Sequence, residues 1–133
     1  MDVQEVRKLD AYLKRLFGNP QIKVIPRSKN DDSAEVYIGE RCVAELSVDD
    51  EDGDRSFQFE MTIKTADARD IRKLDAYIKQ VFVNPKMRVV SRPKKNDSVE
   101  VYLGEQFLGV LFTDDGVFQM AILEDDLVEQ EQD

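Results

Sequence analysis

The stretch Arg7-Lys8-Leu9-Asp10-Ala11-Tyr12 occurs twice in this chain, the second time as Arg72-Lys73-Leu74-Asp75-Ala76-Tyr77. At the same offset of 65, Asn19-Pro20 recurs as Asn84-Pro85. Between positions 6–50 and 71–115, 23 of 45 residues are identical. A fixed internal period is the signature of a repeated structural unit, so the chain contains two copies of one unit.

The repeat continues into a last apolar segment, where the offset drops to 59. Phe59-Glu60-Met61-Thr62-Ile63 matches Phe118-Gln119-Met120-Ala121-Ile122 at that offset. The second copy is therefore six residues shorter, and the residues that it lacks belong to the acidic segment around 49–56 of the first copy. We therefore predict a first unit at 1–65, a second unit at 66–127 and an acidic tail at 128–133.

Each unit opens with a predicted helix. Asp2 and Asp67 each stand three residues before an acid, which is typical of a helix N-cap. Apolar residues then recur at helical spacing, which predicts helices near 3–17 and 68–82. The first helix ends at Gly18, which accepts a left-handed backbone. The second copy has Val83 at that position, so its exit geometry must differ or carry strain.

Four strand-like runs with turn signals between them follow each helix. We predict an α+β fold in which each unit is one helix followed by a four-stranded antiparallel meander, with the helix on one sheet face. Two such units in one chain would form a pseudo-dimer. The predicted strands cover 22–27, 34–38, 41–48 and 57–63 in the first unit, and 87–92, 99–103, 106–113 and 117–123 in the second.

The composition excludes much enzyme chemistry. The 133 residues include one cysteine and no histidine, which removes the usual general base, every Ser-His or Cys-His pair and imidazole metal ligands. A single cysteine cannot close an intrachain disulfide, and the N-terminus has no signal-peptide pattern, so we predict a cytoplasmic protein. No apolar run approaches the ~20 residues that cross a bilayer, so no membrane partner is expected.

The net charge of −9 is concentrated in two segments. Eleven of the 28 acids lie at 49–54 and 124–133, which leaves 17 acids against 19 bases elsewhere. We interpret the two segments as a solvated loop and a frayed tail, both mobile, because blocks of like charge usually stay disordered. The alternative hypothesis is an acidic protein that engages a basic partner or mimics a nucleic acid.

The motif order resembles a known family. The residues that carry the resemblance are Arg-Lys-Leu-Asp-Ala-Tyr, Asn-Pro, Asp-Ser-x-Glu-Val-Tyr-x-Gly-Glu, the acidic run at 49–56 and Phe-Gln-Met-Ala-Ile-Leu at 118–123. Together they are similar to small alphaproteobacterial proteins of about seventy residues that form a domain family of unknown function. The resemblance implies a cytoplasmic bacterial protein whose single-unit relatives pair as homodimers. It implies no activity and no functional residues.

No motif for catalysis or metal binding survives a spacing test. If Gly53 is the sixth position of a calcium loop, the first and twelfth positions fall on Val48 and Phe59, which cannot ligate. Cys42 corresponds to Phe107, so we predict a core thiol rather than a nucleophile. We expect no catalytic residue, no cofactor and no metal. A carboxylate-only enzyme remains the third hypothesis.

Basic residues cluster in one strand and loop of each copy. No aromatic residue is interleaved among them for stacking on bases, so nucleic-acid binding is not expected. We interpret them as bases that offset nearby acids such as Glu35 and Glu100 on an exposed edge. They are Lys23, Arg27, Lys29, Lys86, Arg88, Arg92, Lys94 and Lys95.

Asp115-Gly116 predicts a two-residue hairpin turn, because glycine tolerates the positive φ of such turns. That turn makes one sheet face of the second copy apolar, and the opposite face, with Leu111 against Met120, is apolar too. One helix can cover only one of them. On the first face, the turn pairs Phe112 with Gln119, Val110 with Ala121 and Leu108 with Leu123.

The matching positions of the first copy are largely polar, with Glu45 and Ser47 among them. The second copy therefore has an apolar face that another unit, a second chain or a different protein must cover. We predict a non-enzymatic protein-interaction module that binds a protein partner, or a second copy of itself, through this face. The predicted partner-binding residues are Leu108, Val110, Phe112, Ala121 and Leu123.

One register conflict stays open in the sequence. A two-residue loop at Gly39-Glu40 pairs Val36 with Val43, whereas the apolar alternation favours a three-residue loop that pairs Ile38 with Cys42. The sheet face that the helix covers stays open as well.

Overall fold

The computed structural model describes residues 1–27, 32–50, 55–63, 70–92, 94 and 97–128. It confirms the predicted α+β class. The elements are α1 (Val3–Phe17), β1 (Ile22–Pro26), β2 (Ser33–Ile38), β3 (Arg41–Asp49), β4 (Ser56–Thr62), α2 (Ile71–Phe82), β5 (Met87–Ser91), β6 (Ser98–Leu103), β7 (Gln106–Phe112), β8 (Val117–Leu123) and α3 (Glu124–Val128). The short helix α3 was not predicted.

The N-cap of α1 is as predicted, and that of α2 is not. Asp2 accepts a 2.8 Å hydrogen bond from the N–H of Glu5, whose carboxylate accepts one in return from the N–H of Asp2. The second helix begins at Ile71 rather than at 68, and its cap is Asp70. The Asp70 carboxylate accepts from two N–H groups of the first turn, which satisfies that helix end. The expected cap, Asp67, lies outside the described residues.

Both helices end in a left-handed residue. Gly18 has φ 61°, and Val83, at the same place in the second copy, has φ 52°. The exit geometry is therefore shared, and Val83 carries the strain that glycine avoids, because a β-branched side chain disfavours positive φ. The Val83 side chain is 70% exposed, so it gains little burial in return.

The strand order is β1-β2-β3-β4-β8-β7-β6-β5. Two compact units divide the chain, one comprising Met1–Phe59 with Ala121–Asp133 and the other Glu60–Met120. We call these the first and the second unit from here on. Each contains part of β4 and part of β8. The predicted boundaries at 65 and 127, and the pseudo-dimer, stay predictions.

In the first unit, α1 buries Leu9, Leu13 and Phe17 completely. The Phe17 ring lies 6.2 Å from the ring of Phe59 on β4. The sheet side chains that share this core are Ile22, Val24, Ala34, Val36, Ala44, Leu46, Phe57 and Ile122. The helix therefore covers the sheet face that carries Val36 and Ala44.

The second unit has the equivalent core. Leu74, Ile78, Val81 and Phe82 of α2 are buried. The sheet contributes Met87, Val89, Val99, Val101, Leu111, Phe118 and Met120, each no more than 9% exposed. This answers the question that the sequence left open, since α2 covers the face of Val101 and Leu111 and leaves the opposite face of these strands outside.

A β-bulge settles the register conflict. The turn at Gly39-Glu40 has two residues, because Ile38 pairs with Arg41. The register then shifts after Tyr37, so that Val36 pairs with Ala44 rather than with Val43. The second copy repeats the shift between Val101 and Tyr102. One extra residue in the bulged strand thus satisfies both the tight turn and the apolar alternation.

The predicted two-residue turn at Asp115-Gly116 is wrong. Phe112 pairs with Val117 rather than Gln119, and the loop comprises residues 113–116. The N–H of Thr113 donates to the Asp97 carbonyl at 2.9 Å, so Thr113 does not pair across the hairpin. The N–H of Gly116, which has φ 70°, donates to the Phe112 carbonyl and closes the four-residue loop. The register of β7 against β8 moves by two residues, so Val110 and Phe112 keep their predicted face.

The edge strand β1 has its outward N–H groups occupied. The N–H of Ile22 donates to the Asn19 carbonyl at 3.3 Å, and the N–H of Val24 donates to Asp10 on α1 at 2.9 Å. The next outward residue is Pro26, which has no N–H. Occupied donors protect an edge strand from pairing with another chain. The repeated aspartate of Arg-Lys-Leu-Asp-Ala-Tyr therefore has a structural role.

Candidate protein-interaction face

The second unit has a sheet face that its helix leaves uncovered. Tyr102 pairs with Phe107 across β6 and β7, and cross-strand partners point to the same face. Their rings meet edge-on, with centroids 5.7 Å apart. The exposed fractions of Phe107 and Phe112 are 48% and 37%. We call this surface the second outer face; its apolar residues are Val90, Tyr102, Phe107, Val110, Phe112 and Val117.

Of the five residues that the sequence assigned to one face, Val110 and Phe112 lie on the second outer face. Leu108 is the extra residue of the bulge, and it is buried, with only 8% of its surface exposed. Ala121 and Leu123 are exposed residues of the first unit. A partner-binding role for any of the five stays a prediction.

Sequence reasoning missed Phe107, which had been treated as a core position. The two-residue turn at Gly104-Glu105 pairs Leu103 with Gln106 and places Phe107 opposite Tyr102, on the outer side. That turn was visible in the sequence and pairs Phe107 with Tyr102, but the bulge at Leu108 decides which face this pair takes.

Two arginines border the second outer face along β5. Arg88 lies 5.2 Å above the centre of the Tyr102 ring and donates from Nε to the Gly104 carbonyl at 2.8 Å. Arg92 follows β5 and donates from Nη1 to the Ser98 hydroxyl at 2.9 Å. Among the described residues, neither guanidinium has a carboxylate within ion-pair distance. Glu100 lies on the same face, across from Val90 and Val110, and accepts from the Tyr102 hydroxyl at 3.3 Å, so the two arginines outnumber this one carboxylate.

The first unit has charges at the same positions. Arg27, the counterpart of Arg92, pairs with Glu45 and lies 3.9 Å from the Glu35 carboxylate. Val110 stands where the first copy has Glu45, and Phe112 where it has Ser47. We call the surface with Glu35, Cys42, Glu45 and Ser47 the first outer face; Glu45 and Ser47 are exposed there, as predicted.

Cys42 is not a core thiol, which corrects the prediction from sequence. It is exposed, because it pairs with Tyr37 on the outer side of the bulge just as Phe107 pairs with Tyr102. Desolvation raises the pKa of the Cys42 thiol, and the negative charge of Glu35 raises it further. The thiol therefore stays protonated at neutral pH, which is the opposite of what an activated nucleophile requires.

A cavity of about 250 Å³ in the first unit is lined by Arg55, Leu123, Glu124 and Asp125. Arg55 donates from Nε and Nη2 to the two carboxylate oxygens of Glu5, at 2.5 and 2.9 Å. These hydrogen bonds raise the pKa of the guanidinium. The charge of Arg55 is matched within the unit by Glu5 rather than offered to a ligand.

The described part of the chain gives no support for a metal site or a membrane span. No group of three or more acidic or cysteine side chains there could hold a metal ion. Residues 51–54 of the acidic segment and the tail beyond 128 lie outside the described residues. The predictions that the loop binds no calcium and that both segments are mobile therefore stay predictions. Of the helices that the structure describes, none is long and apolar enough to cross a bilayer.

Repeated helix-and-strand units with a helix on one sheet face define an α+β protein built by duplication. Two segments, 5–67 and 70–126, match the family model described as Protein of unknown function (DUF3126). The chain belongs to this family and carries its domain in tandem, as predicted. No curated protein and no solved structure matches the chain.

Proposed function

We propose that the chain is a non-enzymatic protein-interaction module that binds a partner protein through the second outer face. One comparison supports this proposal above all. On the same backbone positions, the first copy has Glu45 and Ser47 and the second has Val110 and Phe112. The first copy folds with a charged and a polar side chain at these two positions. The fold therefore does not require the apolar pair of the second copy.

The energetics favour a covered face. Burying a large apolar side chain contributes roughly 1.5–3 kcal/mol, and exposing a cluster of them forgoes that gain. Phe107 and Phe112 lie near the two ends of β7, roughly 16 Å apart on an extended strand, and Val110 lies between them on the same face, so the three form an apolar stripe rather than scattered single residues. Aromatic residues are also the type most enriched where protein interfaces bind tightly.

The test is site-specific photo-crosslinking in cells that express the full chain naturally. A photoreactive phenylalanine analogue replaces Phe112 in one protein and Ser47 in a matched control. We expect a discrete adduct with another protein from position 112 and none from position 47. Adding Val110→Glu to the first protein should abolish the adduct. Equal adducts at both positions, or none at either, would contradict the proposal.

Self-association is the second candidate, and the size of the face opposes it. Four strands ~4.8 Å apart and about six residues long at ~3.3 Å per residue give a face of roughly 300 Å² in plan. A stable interface between two folded chains buries about 800 Å² on each partner, whereas one bound helical segment of a partner needs a smaller area. We therefore expect the wild type to scatter light as a 15.3 kDa monomer at micromolar concentration. A doubled mass that Phe112→Glu returns to the monomer would assign the face to a second copy.

A further inference from the structure

The second outer face also indicates what kind of partner it binds. We infer that the partner presents an acidic amphipathic helix, with apolar side chains on Phe107, Val110 and Phe112 and carboxylates on Arg88 and Arg92. This inference rests on the proposed function and adds the chemistry of the partner to it.

The charge argument comes from the difference between the copies. In the first unit, Arg27 has its carboxylate on the neighbouring strand, at Glu45. The second unit keeps the arginine as Arg92 but has Val110 in place of that glutamate. Arg92 therefore lies beside an apolar surface without the ion pair that its counterpart makes. A carboxylate from the partner restores the missing pair, and arginine favours such charge-assisted hydrogen bonds.

The edge of β5 argues for a helix rather than an added strand. The N–H of Val89 already donates to Asp75 at 2.9 Å, and that of Met87 donates to the Asn84 carbonyl at 3.2 Å. Two outward donors of β5 are therefore already used, which disfavours a partner strand along this edge and favours binding on the face. A strand on a face leaves its backbone polar groups unpaired, whereas a helix pairs its own.

The dimensions fit one short helix. A helix is about 10 Å wide and rises ~1.5 Å per residue, so about 12 residues span the face. The unit's own α2, with 12 residues, covers the opposite face of the same strands. Arg88 and Arg92 are four residues apart on an extended strand, which is roughly 13 Å. Helix positions seven or eight residues apart lie on one side at about that spacing, which is where the partner's acids are expected.

Three synthetic peptides of about 18 residues test this chemistry by fluorescence anisotropy with the full chain. The first has a leucine stripe at helical spacing, flanked by glutamates. The second has lysine in place of every glutamate. The third is the acidic peptide with a central proline, which breaks the helix. We expect the acidic helix to bind at least ~10-fold more tightly than either of the others.

Protein variants then assign the binding to named residues. Arg92→Gln should weaken the acidic peptide by about 5- to 10-fold, and Arg92→Lys should restore much of that loss. Arg27→Gln, the matched change on the first outer face, should leave the affinity unchanged. Val110→Glu combined with Phe112→Ser should abolish binding. Circular dichroism of each variant checks that it is folded.

The outcomes separate the inference from the proposed function. Suppose that Val110→Glu combined with Phe112→Ser abolishes binding, but the acidic and basic peptides bind equally or Arg92→Gln has no effect. The inference of an acidic partner is then wrong, whereas the proposed binding face stands. If the proline peptide binds as well as the helical one, the helix is wrong. If no peptide binds while position 112 crosslinks to a protein, the inference falls alone. If the Val110/Phe112 variant binds normally, both proposals fall.

Discussion

The carboxylate of Asp75 on α2 accepts a hydrogen bond from the backbone N–H of Val89 on β5, with an N···O distance of 2.9 Å. It also pairs with Lys79 one helical turn later. Asp10, Val24 and Lys14 repeat this arrangement in the first copy. The aspartate of the repeated motif Arg-Lys-Leu-Asp-Ala-Tyr thus connects a helix to the edge strand of its own unit by a hydrogen bond.

Replacement of Asp75 should separate its two interactions. Asp75→Ala removes the acceptor of the Val89 N–H and is expected to cost about 1–2 kcal/mol in the free energy of unfolding. Asp75→Asn keeps an acceptor oxygen and loses only the partly exposed ion pair, which contributes under ~1 kcal/mol. Urea unfolding measures both. Equal losses in the two variants would show that the ion pair, not the hydrogen bond, carries the stability.

The contribution of Asp75 should depend on pH in the acid range. Burial raises the pKa of Asp75, but hydrogen bonds from Lys79 and Val89 outweigh it and hold the pKa below the usual value of an aspartate. A carboxyl with a depressed folded pKa stabilises the protein above its unfolded pKa, and this stability is lost as pH falls through the folded value. The stability gap between wild type and Asp75→Asn should therefore be constant from neutral pH to about 5 and shrink below about 4. A gap that widens below pH 4 would reverse this assignment.

Val83→Gly should stabilise the chain. It relieves a left-handed valine at φ 52°, and after the added backbone entropy of glycine the net gain is expected to be about 0.5–1 kcal/mol in urea unfolding. Gly18→Val is the matched reverse change and should destabilise by a similar amount. A loss of stability in Val83→Gly would mean that the exposed valine makes contacts which the strain argument omits.

Gly109→Ala should be strongly destabilising. A Cβ at this position would lie 2.1 Å from the Gln119 carbonyl oxygen, so β7 and β8 would have to separate. We expect a loss of about 2–3 kcal/mol, the upper part of the range for overpacking. The first copy has Ala44 here, buried at 5% exposure, and Ala44→Gly should cost about 1 kcal/mol. Thermal unfolding distinguishes the two, and a neutral Gly109→Ala would show that the strands can yield.

Local signals in the sequence predicted local structure well. The capping box at Asp2 and Glu5 and the glycine at 18 fix the ends of α1, and all of these contacts lie within a few residues. The sequence is compatible with a two-residue turn at Gly39-Glu40 and with a three-residue loop. The bulge that reconciles the turn with the apolar alternation cannot be predicted from one strand, because a bulge exists only between two paired strands.

Features that depend on distant partners were missed. The length of the 113–116 loop depends on the hydrogen bond from Thr113 to Asp97, which no turn signal reveals. Phe107 was assigned to the core because large aromatic residues usually lie there, whereas the bulge turns it outward. Among the described residues, Arg92 has no carboxylate partner, and this became visible only when the register placed Val110 where the first copy has Glu45.

The replacement of Glu45 by Val110 between the copies also sets a stoichiometry. A symmetric assembly of two identical chains presents every surface twice, so one adhesive face becomes two and a partner with two sites can link such assemblies into a network. Among the described residues, the second copy has an apolar outer face and the first copy has a charged counterpart. If the second outer face binds a partner as we propose, the chain is monovalent through this face: it can terminate or mask a partner, but it cannot cross-link two of them.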